Sequence, residues 1–121
     1  MQDVRRFPAS PSSVTEVRRF VTKAARVASS HPAAFVASEL ATNAIIHARA
    51  TFTVSVQRAH GVVHIEVFDT CPEAPEPGLS TLRGGLALRI VEGMSKTWGT
   101  RFEDDGKTVW AAVSRREYLG R

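Results

Sequence analysis

The sequence predicts an α+β domain, a two-layer sandwich with helices on one face of a mixed, mainly antiparallel sheet. Three observations carry that expectation. Two pairs of alternating segments, 51–58 with 62–69 and 97–104 with 107–114, are each joined by a short turn signal and read as hairpins. Segment 14–28 carries apolar residues on one side of a helical wheel and bases on the other. The stretch 38–48, in a helix that Pro32 starts, is apolar around most of a helical circumference, as expected of a helix that is largely buried.

Composition narrows the class. With 121 residues, 43% of them hydrophobic, the chain reads as one domain, 1–121, with a substantial core. No apolar run approaches membrane-spanning length, and residues 1–10 lack a signal peptide's apolar core. The expected location is the cytoplasm, with no membrane partner. A single cysteine, Cys71, excludes an internal disulfide and any cysteine-built zinc site. Sixteen basic against twelve acidic residues leave a net charge of +4. That balance suits an acidic partner or a nucleotide and is too modest to single out nucleic acid.

In chain order, residues 3–7 read as a short strand stopped by Pro8. Ser13 with Glu16 then resembles a capping box at the start of helix 14–28. Arg18, Arg19, Lys23 and Arg26 share the face of that helix which the core does not need. Such a face is either simply solvated or a docking surface for an acidic protein. Ser29-Ser30-His31-Pro32 breaks the chain, with Pro32 placed in the first turn of the next helix. The first hairpin turns at Ala59-His60-Gly61 and ends in Val67-Phe68-Asp69, which delivers one carboxylate at a strand end. Residues 70–83 hold three of the six prolines and show no period, the pattern of a lid. Gly84-Gly85 opens a helix over 86–94, with Leu86, Ile90 and Val91 inward. Asp105-Gly106 is the turn signal of the last hairpin. The basic tail 115–121 is expected to fray.

The most informative stretch is 38–48, Ser-Glu-Leu-Ala-Thr-Asn-Ala-Ile-Ile-His-Ala. At about 100° per residue, Glu39, Asn43 and His47 fall in one wedge of roughly 80° on an otherwise apolar helix. Polar groups on a buried helix wall need partners. Either they bond to neighbouring backbone, or they face a cavity holding a hydrated cation and a polar ligand.

Four pieces then occur in order: Glu39-x-x-x-Asn43, Asp69 closing a strand, Arg83-Gly84-Gly85 at a helix start, and Thr108 in the final strand. This order resembles the GHKL nucleotide-binding fold of gyrase, ninety-kilodalton heat-shock chaperones, mismatch-repair ATPases and histidine kinases. Within it, the chain is most similar to the bacterial anti-sigma factor serine/threonine kinases. Ser-Glu-Leu-Ala-Thr-Asn-Ala-Ile-Ile-His resembles their N box, Gly-Gly-Leu-Ala-Leu-Arg-Ile-Val their second glycine box, and Gly106-Lys107-Thr108-Val109-Trp110 their closing strand. The resemblance covers residues 3 to 114.

The resemblance implies ATP and Mg2+ as cofactors. It makes Glu39 the base that takes a proton from an attacking serine and Asn43 the magnesium ligand. Asp69 would accept the adenine amino group with Thr108 in support, through its hydroxyl or a water. The N–H groups opening the helix at Gly84, Gly85 and Leu86 would meet phosphate oxygens, and Arg83 would reach a terminal phosphate. His47 reads as structural. Implied partners are a sigma factor and an anti-anti-sigma (STAS-type) protein, or a second copy of the chain, with Arg18, Arg19, Lys23 and Arg26 at the contact. Two departures stand out. Asp69-Thr70-Cys71-Pro72 replaces the glycines of the first glycine box, and Ala87 stands where glycine is frequent. Two functions follow: an ATP-dependent protein kinase that also holds a sigma factor, or a partner-switching module with weak or lost nucleotide binding. Nucleic-acid binding through helix 14–28 lacks any accompanying reader motif.

Overall fold

The computed structural model describes residues 2–47, 50–70 and 84–116, with backbone alone at 47 and 84–88. Its elements are β1 (Gln2–Pro8), α1 (Ser13–Ala25), α2 (Pro32–His47), β2 (Thr51–Ala59), β3 (Val62–Asp69), α3 (Gly84–Met94), β4 (Thr97–Glu103) and β5 (Gly106–Ser114). The strands form one sheet in the order β1-β2-β3-β5-β4, and all four pairings are antiparallel. The α+β sandwich predicted from the sequence is therefore the observed architecture. No described helix is long and apolar enough to cross a membrane.

Alternation builds the core. Phe52, Val54 and Val56 of β2, Val63, Ile65 and Val67 of β3, and Val109, Ala111 and Val113 of β5 are all buried on the side facing the helices. Val17, Val21 and Ala25 of α1 meet them, as do Val36, Ala37, Leu40, Ala41 and Ala44 of α2 and Val91 of α3. Phe7 closes the β1 end of this layer, stacked on Phe52 and edge-on to Phe20, with ring centroids 5.8 Å apart in each case. α2 lies between α1 and α3 and packs on β3 and β5.

Three local expectations need correction. Ser13 is the first helical residue rather than a cap, and its hydroxyl donates to the Pro8 carbonyl at 2.7 Å. Glu16 pairs with Arg19 instead of reaching back, so there is no capping box. α1 ends at Ala25 rather than at 28, because Arg26 turns left-handed (φ 58). The Arg26 N–H bonds the Lys23 carbonyl and the Val27 N–H bonds the Thr22 carbonyl, a Schellman ending with arginine where glycine is usual. Finally, the last hairpin turns through Asp104 and Asp105, with Glu103 paired to Gly106 and no left-handed residue. The first hairpin does turn through two left-handed residues, His60 (φ 54) and Gly61 (φ 75), as a two-residue primed turn requires. The start of the basic tail is held: Arg115 donates from Nε to the Ala25 carbonyl (3.1 Å) and from Nη2 to that of Arg26 (3.2 Å). Residues 117–121 lie outside the described residues.

Candidate functional site

One end of the sheet gathers the candidate residues. The register aligns Phe52, Asp69, Lys107 and Phe102 in a row across β2, β3, β5 and β4. α2 runs toward this end, since only three residues separate its last residue from β2. β3 finishes here at Asp69.

On α2, the hydroxyls and the larger polar groups behave differently. Ser38 Oγ donates to the Ala34 carbonyl at 2.9 Å and Thr42 Oγ1 to the Ser38 carbonyl at 2.8 Å, so both are satisfied within the helix. Glu39 and Asn43 are half-buried, and neither side chain makes a hydrogen bond or ion pair among the described residues. For Glu39 and Asn43, then, no bond to neighbouring backbone is present among the described residues. What remains is a carboxylate and a carboxamide on the flank of a buried helix, each with oxygen lone pairs to offer. The side chain of His47 lies outside the described residues.

Asp69 is 2% exposed, and its direct cross-strand partner is Lys107, itself 2% exposed. Lys107 Nζ donates to Asp69 Oδ2 at 2.8 Å. Residues opposite one another on paired strands share a face, and this pair continues the buried row of Val67 and Val109 on the helix side. Gly106, next in the chain, touches the end of β3. A Cβ there would overlap the Asp69 carbonyl oxygen, so only glycine allows this approach.

Thr108 does not join this group. It stands opposite Phe68, on the face of the sheet away from the helices, and its hydroxyl donates to Glu103 Oε2 at 2.8 Å. On the same face Glu66 receives His64 Nε2 at 3.0 Å and Arg101 Nη2 at 3.4 Å, and His64 stacks on Trp110. Asp69 thus pairs with Lys107, while Thr108, expected to support the adenine contact through its hydroxyl or a water, stands on the other face. The sequence did hold the signal. Counting back by twos from Val113, Ala111 and Val109 reaches Lys107, whereas Thr108 shares its parity with Trp110.

α3 is described from Gly84 to Met94 and packs against α2. Its first N–H groups have no partner within the helix. Val91 is fully buried and Ile90 half-buried, in line with the expected inward face. The Leu86 side chain, Arg83 and the proposed lid from 71 to 83 lie outside the described residues.

The four bases predicted to share one face of α1 divide. The Arg18 guanidinium lies 5.4 Å from the ring centre of Phe35, and Arg19 pairs with Glu16 at 3.3 Å. Lys23 and Arg26 instead line a cleft with Asp3, Phe20, Ala24 and Arg58. Arg26 sits past the end of the helix, so its side chain leaves the α1 face.

The family model of the histidine kinase-like ATPase domain matches residues 7–113, nearly the whole chain and every described candidate residue above. No curated protein matches the sequence. With the five-stranded antiparallel sheet, the three helices among the described residues and this match, the chain belongs to the histidine kinase-like ATPase domain family.

Proposed function

We propose that this protein is an ATP-binding anti-sigma regulatory factor, which holds a sigma factor and phosphorylates a serine of an anti-anti-sigma partner. The observation that carries this reading is the α2 flank, where Glu39 and Asn43 stand half-buried with no partner among the described residues while the neighbouring hydroxyls are satisfied. That arrangement fits a cation and a reacting hydroxyl. Among the described residues no group of three or more His, Cys, Asp or Glu could hold a metal ion. Asn43 would hold a magnesium ion through its amide oxygen, with the phosphate oxygens of the nucleotide supplying further ligands, a common mode for this ion. When bound, ATP supplies the phosphoryl group.

The chain's own residues do the rest. Glu39 accepts the proton of the serine hydroxyl. Asp69 offers a buried carboxylate to the adenine amino group. The opening N–H groups of α3, from Gly84 to Leu86, favour phosphate oxygens at the positive end of a helix. Arg83 is assigned to the terminal phosphate by resemblance alone. Arg18, Arg19, Lys23 and Arg26 supply positive charge for the partner or for a second copy of the chain.

A second reading, a partner-switching module with weak nucleotide binding, draws on one observation: an ammonium group already occupies Asp69. Phosphoryl transfer separates the two. Wild type with ATP, magnesium and an anti-anti-sigma protein should label the partner on serine, and Glu39→Gln should not. ATP binding without any transfer would leave the module reading.

A further inference from the structure

Lys107 is a charged side chain in an apolar row. Burial of an ammonium is unfavourable unless its donors are met. Asp69 meets one of its three, and among the described residues no other hydrogen bond to Lys107 exists. Two N–H donors remain beside an acceptor-only carboxylate. The result is an adjacent acceptor and donor on the helix side of the sheet, at the end toward which α2 runs.

We infer that Lys107 reads N1 of the adenine ring while Asp69 reads the 6-amino group, so that the pair sets base selectivity. This rests on the ATP-binding reading above. Adenine presents a donor at its 6-amino group and, next to it, an acceptor at N1. The carboxylate and ammonium present the complementary order. Guanine or hypoxanthine seated the same way presents an acceptor at C6 and a donor at N1, and both contacts fail. A site that leaves buried polar groups unpaired rejects the wrong base strongly. A hydroxyl or water at this place could turn to donate or accept, whereas an ammonium only donates. Thr108 is on the other face and cannot take this part. The pair is buried, so the base edge would take the place of the groups that cover it.

The test compares ATP with 1-deaza-ATP, which keeps the amino group and has C–H in place of N1. Both are titrated with magnesium into the full chain, wild type and Lys107→Met. Wild type should prefer ATP by about tenfold or more, the worth of a hydrogen bond to a charged group. Lys107→Met should bind the two about equally. Equal binding by wild type, or a preference that survives in folded Lys107→Met, overturns the inference while the ATP reading stands. Should Lys107→Met fail to fold, the 15N resonance of the Lys107 ammonium in wild type decides. It should move with ATP and stay with 1-deaza-ATP, and a resonance that ATP does not move overturns the assignment. If wild type binds neither nucleotide, the ATP reading itself fails, and this inference with it.

Discussion

His31 and Arg115, 84 positions apart, are joined by a hydrogen bond of 2.9 Å from the His31 ring to the Arg115 carbonyl. The Ala33 N–H donates to His31 Nδ1 at 3.0 Å, so Nδ1 carries the lone pair and Nε2 the proton. One buried side chain thus accepts from the first turn of α2 and ties it to the chain just past β5. Arg115 continues the tie by donating to the last carbonyls of α1.

Removing that tie should be costly. His31→Ala leaves a buried N–H and a carbonyl without partners, and about 2–4 kcal/mol of unfolding free energy should be lost. His31→Asn can still accept from Ala33 and should fall between the two. Urea unfolding followed by circular dichroism measures both. Wild-type stability in His31→Ala would show that the bonds carry no weight.

The ion pair near the site gives a second prediction. Lys107→Ala should cost about 3–5 kcal/mol, because it strands a buried carboxylate. Replacing both partners, Asp69→Leu with Lys107→Met, should recover much of that loss, since an apolar pair extends the row of Val67 and Val109. A double variant less stable than both single ones would contradict this account of the pair.

Much of this architecture is legible in the sequence, and the exceptions have physical reasons. Alternation and helical spacing place most of the described strands and helices, because burial on one face imposes those periods. The end of α1 is missed because arginine seldom adopts the left-handed conformation that Arg26 takes. His31 reads as part of a break because its partner lies at the far end of the chain. The Asp69–Lys107 pair is not legible from the motif, because a motif position does not state which face it occupies. A shift of one residue along β5 moves a side chain to the other side of the sheet. Glu39 and Asn43 are legible because a polar wedge on an apolar helix stands out at any register.

Gly106 should tolerate no side chain. Gly106→Ala forces β3 and β5 apart beside Asp69, at a cost of about 1–3 kcal/mol for overpacking, and should weaken ATP binding more than it lowers stability elsewhere in the site. Thermal unfolding with and without ATP separates the two effects. A variant as stable as wild type would show that the strand ends adjust freely.

The basic surface is tested by charge reversal. Arg19→Glu with Arg26→Glu should leave folding and ATP binding intact, since both side chains are exposed. Capture of sigma-type and anti-anti-sigma-type proteins should weaken, and wild-type capture should fall with added salt. Equal recovery by both proteins at low salt would mean that this face is only solvated.

The most direct test is thermal unfolding with ATP and magnesium. Binding to the folded state alone raises stability by about 2.7 kcal/mol at a hundredfold excess over Kd, on the order of 10 °C in Tm for a chain of this size. Asn43→Ala should remove the magnesium-dependent part of the shift, and Asp69→Asn most of the whole, since an amide can turn a donor toward the adenine amino group. Glu39→Gln should keep the shift. A wild-type Tm unchanged by millimolar ATP with magnesium would contradict the ATP site.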